Sequence, residues 1–369
     1  MTVFGTRPEG IKMAPIVKEL EKREGVESVV CITAQHRALL DQVLRVFDIK
    51  PDYDLNIFQS GQTLTEITTR ALQGLEEVII KEKPDVLLVQ GDTTTVFAGA
   101  LAAFYQKVKI GHVEAGLRSG NLYSPYPEEA NRKLTGIVTD YHFAPTERNR
   151  QNLLKEGYPE EKIFITGNTV IDALKYATKE DYIFDIDFLN QLCHQNKRII
   201  LMTCHRRENL GEPMENIFTG VRDIIEKYND VELVFPMHLN PKVRETAYKI
   251  LSNNDRIHLI EPLDYEPMAN LMAKAYLLVT DSGGLQEEGP TFGKPVLVVR
   301  EETERPEGIE AGTAKLVGTK YKNVFDELDL LFSNEKEYNK MANAVNPYGD
   351  GKASERIVDV LLRSTNCEC

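Results

Sequence analysis

The sequence predicts an α/β protein with two domains, each built on a parallel β-sheet. Short apolar runs recur along the chain, and each is followed by a turn and then by a stretch whose apolar residues have helical spacing. This alternation of strand and helix is typical of parallel sheets covered by helices. An acidic, strand-poor stretch near residues 175–197 separates two blocks of the pattern. The length of 369 residues accommodates two domains of roughly 100–200 residues each.

Several apolar runs have the composition of strands that are buried on both faces. Each run is continuous rather than alternating, as expected for a strand inside a parallel sheet. They lie at 86–90, 199–203, 231–235, 276–280 and 295–299. The first strand, Thr2–Phe4, is short before the turn at Gly5. Either this strand is truncated or the start of the protein lies a few residues upstream.

The helical segments complete the domain prediction. Residues 64–81 and 214–228 carry apolar side chains at helical spacing, with charged side chains on the opposite face. Residues 353–363 predict one more helix, which can cross back onto the first domain. We therefore predict an N-terminal domain over 1–170, with a C-terminal helix at about 354–369 packing back on it. The C-terminal domain covers 171–353, and the hinge lies near 166–168.

Composition and charge exclude several classes of partner. Lys and Arg total 44 against 57 Asp and Glu, which gives a formal charge of −13. Such a protein is repelled by nucleic acid and by anionic membranes, although a local basic cluster can still bind a small phosphate-bearing ligand. No apolar run is long enough to span a bilayer, and the N-terminus does not resemble a signal peptide. We expect a cytoplasmic protein.

The cysteines indicate reduced thiols rather than a disulfide framework. They are odd in number and scattered, without a CxxC pair or zinc spacing, so we predict no metal site. We interpret the pair of cysteines at the end of the chain, Cys367 and Cys369, as an exposed tail without a role. The cysteines are Cys31, Cys193, Cys204, Cys367 and Cys369.

Polar residues that could bind a ligand lie where predicted strands end, which is where open parallel sheets bind ligands. The turn Ser282-Gly283-Gly284 directly follows a strand and offers free backbone N–H groups to a phosphate, and Glu288 could accept hydrogen bonds from a ribose. The alternative is an ordinary capped helix. His205 and Arg305 follow neighbouring strands and could complete a cationic pocket.

The first strand also ends in charged residues, Arg7 and Lys12. Their spacing is not that of a Walker motif, and no GxGxxG follows a strand, so ATP hydrolysis and dinucleotide binding lack their signatures.

Three carboxylates follow strands or turns of the first domain. Asp92, Glu114 and Glu128 lie in polar segments flanked by Gly, Pro or Tyr. Any one of them alone could be a helix cap or a surface acid. Together, in a protein with a phosphate site, they indicate proton-transfer groups.

These segments resemble one known family. The motifs GTRPEGIKMAP, TAQHR, QGDTTT, GHVEAGLRSG, YSPYPEEANR, FITGNTVIDAL, HRRENLGEP, HLNP, TDSGGLQEE, TERPEG, AGT and NPYGDG are similar to those of the non-hydrolysing UDP-N-acetylglucosamine 2-epimerases. They occur in one order from residue 2 to about residue 357, which is essentially the whole chain.

The resemblance implies a glycosyltransferase-B type fold, in which two Rossmann-like parallel-sheet domains face each other across a cleft. It implies an isomerase that interconverts UDP-N-acetylglucosamine and UDP-N-acetylmannosamine without NAD, metal or any other cofactor, and supplies N-acetylmannosamine units for cell-surface polysaccharide. The route is elimination of UDP to an enzyme-bound 2-acetamidoglucal, followed by re-addition. By motif, the catalytic residues are Asp92, Glu114, Glu128 and His205. The UDP-binding positions are Arg7, Lys12, Ser282, Gly283, Gly284, Glu288 and Arg305.

The resemblance also implies a homodimer and an allosteric site for UDP-N-acetylglucosamine beside the active site. Residues that match parts of that site are Gln35, His36, Arg206 or Arg207, and His238. Ala38 and Gly61 depart from the pattern, since regulated members can have Gln and Arg there. Activation is therefore expected to be weaker here or to use fewer contacts.

Two other hypotheses stay open from the residues alone. A glycosyltransferase of the same fold would bind UDP-sugars but would need an acceptor pocket and no acids beside C2. A sensor would bind a nucleotide sugar without turnover. Exchange of the C2 hydrogen with solvent distinguishes the epimerase from both.

Overall fold

The computed structural model describes residues 1–35, 37–195 and 197–366. The chain divides into two compact units, Met1–Tyr176 together with Tyr348–Cys369, and Ala177–Pro347. We call them the first unit and the second unit. The divisions lie a few residues from the positions 170 and 353 suggested by the sequence.

The first unit contains a seven-stranded sheet with the order β3-β2-β1-β4-β5-β6-β7. All neighbouring strands are parallel. The short first strand is central in this sheet, between β2 and β4. The strands are β1 (Thr2–Phe4), β2 (Val30–Ile32), β3 (Tyr53–Asp54), β4 (Val86–Gln90), β5 (Lys109–Val113), β6 (Tyr141–Ala144) and β7 (Ile163–Ile165).

Helices cover this sheet, and local sequence explains where they begin. The helix at Leu64–Glu82 starts after Thr63, whose hydroxyl accepts a bond from the Glu66 amide while the Glu66 carboxylate accepts one from the Thr63 amide. The helices are α1 (Arg7–Glu21), α2 (Arg37–Val46), α3 (Leu64–Glu82), α4 (Thr94–Tyr105), α5 (Glu128–Val138), α6 (Glu147–Lys155) and α7 (Thr169–Ala177), with a 3₁₀ turn at Glu160–Lys162.

The last helix of the chain, Ala353–Asn366, belongs to the first unit. It lies against α1, where Arg23 forms an ion pair with Asp359 at 2.9 Å. Its first turn is held by Asp172, whose carboxylate accepts bonds from the backbone amides of Ala353 and Ser354. These polar contacts, together with a bond from Arg356 to the Thr166 carbonyl at 3.0 Å, hold the last helix on the first unit.

The second unit contains a six-stranded parallel sheet with the order β10-β9-β8-β11-β12-β13. Its strands are β8 (Arg198–Thr203), β9 (Val231–Pro236), β10 (Ile257–Ile260), β11 (Leu277–Thr280), β12 (Val296–Val298) and β13 (Ala314–Leu316). Its helices are α8 (Asp187–His194), α9 (Glu212–Lys227), α10 (Pro241–Leu251), α11 (Tyr265–Lys274), α12 (Gly283–Glu288), α13 (Pro306–Ala311), α14 (Tyr321–Ser333) and α15 (Glu335–Ala342). The last helix of the chain, which belongs to the first unit, is α16 (Ala353–Asn366). Short 3₁₀ turns lie at Arg207–Asn209 and Gly289–Phe292.

Each sheet is buried by apolar side chains on both of its faces, which explains the continuous runs in the sequence. Val3, Leu87 and Val89 are fully buried in the first unit, as are Ile200 and Leu233 in the second. The prediction of two parallel-sheet α/β domains is confirmed. No helix among the described residues has the length and apolar character needed to cross a membrane.

Candidate active site

The loop after β1 is organised by a buried carboxylate that the sequence analysis did not select. Glu9 Oε2 accepts bonds from the amides of Gly5 (3.2 Å) and Thr6 (2.8 Å), and Oε1 accepts one from the Thr93 hydroxyl (2.8 Å). Burial raises the pKa of Glu9 to about 7. This side chain ties the turn before α1, whose first residue is Arg7, to the loop after β4.

Glu114 follows β5 and contacts three polar side chains. Its Oε2 accepts a bond from Lys12 Nζ at 2.5 Å and contacts Gln90 Nε2, while its Oε1 lies 3.5 Å from Asn168 Nδ2. The Lys12 and Glu114 side chains are only 19% and 10% exposed. Glu114 also has a φ of 63°, which is uncommon outside glycine. Lys12, expected from the motif to bind UDP, therefore lies against a candidate catalytic carboxylate.

Asp92 lies two residues beyond β4 and is paired with an arginine that the sequence analysis missed. Arg132 Nη2 is 2.6 Å from Asp92 Oδ2, and Arg132 Nη1 is 3.0 Å from Glu129 Oε2. Glu129 is fully buried and accepts bonds from the backbone amides at 119–120. Asn131 Nδ2 donates to the Asp92 carbonyl at 2.9 Å. Helix α5 thus holds both the side chain and the backbone of Asp92.

The candidate acids Asp92 and Glu114 belong to one edge of the first sheet. Strands β4 and β5 are hydrogen-bonded neighbours, with Gln90 opposite Val113, so the residues that follow them emerge side by side. Glu128 is the first residue of α5, and its Oε2 is buried without a hydrogen-bond partner among the described residues. A buried carboxylate oxygen of this kind is costly unless a ligand satisfies it.

His112, on β5, connects the same two strand ends. Its Nε2 lies 2.7 Å from the carbonyl of Gly91, the residue before Asp92. Burial lowers the pKa of His112 to about 4. The imidazole is therefore neutral at physiological pH and holds the backbone beside Asp92.

Gln35 lies at the end of the segment after β2. Its Oε1 accepts a bond from the Thr95 hydroxyl at 3.1 Å, and Thr95 in turn contacts the Thr33 hydroxyl at 2.9 Å. The neighbouring candidate His36 falls outside the described residues. Cys367 and Cys369 are outside them as well.

In the second unit, the end of β11 organises the loop after β8. Asp281 is completely buried, and its Oδ2 accepts bonds from the amides of His205 and Arg206, both at 2.8 Å, and from Asn209 Nδ2 at 3.0 Å. Its Oδ1 lies 3.4 Å from His205 Nδ1. His205 also stacks on His238 with ring centroids 5.4 Å apart. The strand neighbours β8, β9 and β11 thus bring these residues together.

The turn after β11 has open space beside its two glycines. A Cβ added at Gly283 would have no neighbour nearer than Arg206 Nη2 at 4.0 Å, and at Gly284 it would meet Ser282 Oγ at 3.8 Å and Glu288 Oε1 at 3.9 Å. The helix that follows is a single short one, Gly283–Glu288. A hydroxyl, a guanidinium and a carboxylate are therefore grouped at this turn.

Arg305 is less available than the sequence suggests, because its guanidinium contacts the carboxylate of Glu287, which is nearly buried. Arg207 is exposed at the start of its 3₁₀ turn. Within the described part of the chain, no group of three or more His, Cys, Asp or Glu residues is placed to hold a metal ion.

Comparison with known proteins decides the family. The family model described as UDP-N-acetylglucosamine 2-epimerase matches residues 18–362. The UDP-N-acetylglucosamine 2-epimerase of Bacillus subtilis is 56% identical over 362 residues, covering 98% of this chain and 94% of that protein. The chain belongs to the UDP-N-acetylglucosamine 2-epimerase family. The predictions of family and of enzyme class are confirmed.

Solved structures agree with this assignment. A crystal structure from Listeria monocytogenes shares 56% identity with a TM-score of 0.95, covering 100% of this chain and 96% of that one. The Neisseria meningitidis UDP-GlcNAc 2-epimerase, crystallised with UDP-GlcNAc bound, shares 51% identity with a TM-score of 0.85, covering 98% and 99%. The fold of the family is the glycosyltransferase-B type, as the motifs implied.

Proposed function

We propose that this epimerase interconverts UDP-N-acetylglucosamine and UDP-N-acetylmannosamine by elimination and re-addition of UDP. A base removes the C2 hydrogen as a proton, the C2 electron pair forms a C1–C2 double bond, and the C1–oxygen bond breaks with its electrons leaving on UDP. The product of this step is 2-acetamidoglucal. Return of a proton to the opposite face of C2, with attack of UDP at C1, gives the epimer. The relatives named as UDP-N-acetylglucosamine 2-epimerases support the epimerase activity in this proposal.

The observation that carries the proposal is the group of carboxylates at one edge of the first sheet. Asp92 and Glu114 follow adjacent strands, and each is paired with a cation, Arg132 and Lys12 respectively. Glu128 adds a third carboxyl group, with a buried oxygen that has no hydrogen-bond partner in the part of the chain that the structure describes. An epimerisation at C2 needs one acid/base group for each face of the sugar, and we assign that work to this set.

The second unit carries the groups suited to the departing diphosphate. Gly283 and Gly284 leave open space beside the turn, Ser282 adds a hydroxyl, and His205 adds an imidazole. Such preorganised donors stabilise negative charge that develops on a leaving group. We assign Glu288 to the ribose hydroxyls. Arg7 and Arg305 are further UDP-binding positions. Arg305 would bind UDP either while it stays paired with Glu287 or after that ion pair breaks.

Regulation is a separate part of the proposal. Gln35, Arg206 and His238 match parts of an allosteric site for UDP-N-acetylglucosamine, and the stacking of His238 on His205 would connect an effector there with a catalytic side chain. Ala38 and Gly61 remove side chains that could contact the effector. We therefore expect weak activation by UDP-N-acetylglucosamine in a rate assay that starts from UDP-N-acetylmannosamine.

We further propose a homodimer that works in the cytoplasm, where its product feeds cell-surface polysaccharide. Exposed apolar side chains on the first unit, Phe104 and Ile137, border one shallow cavity and are 54% and 71% exposed. Adjacent exposed apolar groups favour a protein partner. Sedimentation equilibrium tests this: an Ile137→Asp variant should shift towards monomer. Among the described cysteines, Cys31, Cys193 and Cys204 are free, which is consistent with a reducing compartment.

The proposed activity is tested with Asp92→Asn and a matched control, Asp255→Asn, which removes the same charge from an exposed turn. Product formation from UDP-N-acetylglucosamine is followed by NMR. We expect Asp92→Asn to lower kcat by about 10²–10⁴-fold, the usual range for an acid/base group, while UDP affinity measured by calorimetry is retained. The control should match the wild type. Absence of UDP-N-acetylmannosamine with the wild-type enzyme would overturn the proposal, and near-normal turnover of Asp92→Asn would remove that residue from it.

A further inference from the structure

The buried carboxylate of Asp281 has two oxygens in different surroundings. Oδ2 accepts three N–H bonds, from the amides of His205 and Arg206 and from the side chain of Asn209. Oδ1 makes no hydrogen bond among the described residues that meets normal geometry, and it lies 3.4 Å from His205 Nδ1. Burying a carboxylate without partners is costly, so the three donors explain the position of Oδ2. The atom nearest to Oδ1 in this pairing is therefore the Nδ1 of His205, 3.4 Å away.

We propose that Asp281 is a positioning residue for His205, whose Nδ1 it holds so that Nε2 is the nitrogen available to the substrate. This inference rests on the proposed function for its kinetic consequence, since Nε2 would exchange a proton with the departing UDP. A carboxylate on one imidazole nitrogen fixes the tautomer and stabilises the imidazolium when the other nitrogen takes up a proton. The same carboxylate fixes the backbone at 205–206.

Other groups around the imidazole oppose its protonation, so the negative charge of Asp281 also affects the pKa of His205. Burial lowers the pKa of His205, and the adjacent Arg206 and the stacked His238 lower it further, whereas Asp281 raises it. Cys204 also lies beside Asp281, and burial together with that carboxylate raises the pKa of its thiol well above the ordinary value. The thiol is therefore neutral. Asp281 is the group in this cluster that favours imidazolium.

The substitution Asp281→Asn separates positioning from scaffolding. The amide oxygen can accept the bonds from the backbone at 205–206, because those donors lie on the Oδ2 side. The amide NH₂ then faces His205 Nδ1 as a donor, which favours the neutral tautomer with the proton on Nε2. The control Asn209→Ala removes one donor to Oδ2 but leaves the Asp281 charge and its Oδ1 in place.

Two measurements decide the inference. Nitrogen-15 NMR of histidine-labelled protein, with the His205 signals assigned by a His205→Gln variant, should show Nδ1 protonated in the wild type and in Asn209→Ala. It should show Nε2 protonated in Asp281→Asn, with a lower pKa of His205. Unchanged His205 tautomer and pKa in Asp281→Asn would overturn the inference, and this result does not depend on whether the epimerase activity exists.

The kinetic measurement is a double-mutant cycle. We expect Asp281→Asn to lower kcat by about 10²-fold or more with a smaller change in KM, and to cause little further loss in the His205→Gln background. An equal loss in both backgrounds would show that Asp281 acts as a scaffold and not through His205. If the wild type gives no product, the proposed function fails, while the NMR result still decides the role of Asp281.

Discussion

Glu9 provides a quantitative test of how the candidate site is built. The substitution Glu9→Gln can retain hydrogen bonds to the amides of Gly5 and Thr6 and to the Thr93 hydroxyl. The amide oxygen can accept the bonds from the amides of Gly5 and Thr6, and the amide NH₂ can donate to the Thr93 hydroxyl, which accepts instead of donating. What the variant loses is the ability to ionise. The change in stability with pH therefore reports the cost of the buried charge.

The magnitude follows from the pKa of Glu9, which burial raises from 4.5 to about 7. The folded protein binds this proton more tightly than the unfolded chain, so stability falls as pH rises through this window and levels off above the folded-state pKa. Between about pH 5.5 and pH 8.5 the free energy of unfolding of the wild type should fall by about 2 kcal/mol relative to that of Glu9→Gln. At the upper limit, full ionisation costs about 3 kcal/mol.

The assay is urea unfolding followed by circular dichroism, with wild type and Glu9→Gln compared at both pH values. Other titrating groups are shared, so the difference between the two proteins isolates Glu9. We expect the free energy of unfolding of Glu9→Gln to rise relative to that of the wild type as pH rises. A constant difference across this range would refute a buried, proton-binding Glu9 and with it the account of how the loops after β1 and β4 are joined.

Two further predictions concern the charges of the first unit. Lys12→Met should lower kcat at least about tenfold, because it leaves Glu114 without the cation 2.5 Å away. Lys12→Arg should retain more activity in the same assay. Equal losses of kcat in the two variants would show that the charge of Lys12 is unimportant. Both ring nitrogens of His142 are buried without hydrogen bonds among the described residues, and burial lowers its pKa to about 3. The wild type should therefore lose stability as pH falls below about 6.5. Between about pH 7 and pH 4.5, the free energy of unfolding of His142→Phe, measured by urea unfolding, should fall by about 2–3 kcal/mol less than that of the wild type. An identical decrease in both proteins would contradict this.

Much of the fold could be predicted because its signals are local. Continuous apolar runs such as Val86–Gln90 and Arg198–Thr203 mark strands that are buried on both faces. The strands that escaped prediction include Tyr53–Asp54 and Ala314–Leu316, which are only two and three residues long. Such segments contain too few residues to show a pattern, and they are defined by pairing with a neighbouring strand.

The predicted site residues Asp92 and Glu114 lie just beyond strands β4 and β5, but the side chains they pair with come from distant parts of the chain. Lys12 and Glu114 are 102 residues apart, and Asp92 and Arg132 are 40 apart. Only the order of strands and the placement of α1 and α5 bring them into contact. Arg132 was therefore missed, and Lys12 was assigned to UDP alone.

Residues that act through other residues were the hardest to find. Asp281 directly precedes the Ser282-Gly283-Gly284 turn, and nothing in the sequence indicates that its carboxylate is completely buried beside His205. Glu9 resembles an ordinary acid in the first turn of a helix, a position where exposed carboxylates are common. Burial and hydrogen-bond partners, which only the folded structure supplies, distinguish both residues from surface acids.

The most direct test of the central claim is the fate of the hydrogen at C2 of the sugar. UDP-N-acetylglucosamine is incubated with the enzyme in D₂O, and the proton NMR spectrum of both epimers is followed over time. The proposed elimination and re-addition predicts that deuterium from the solvent enters C2 of both UDP-N-acetylglucosamine and UDP-N-acetylmannosamine as they interconvert. Formation of UDP-N-acetylmannosamine that retains its original C2 hydrogen would contradict the mechanism.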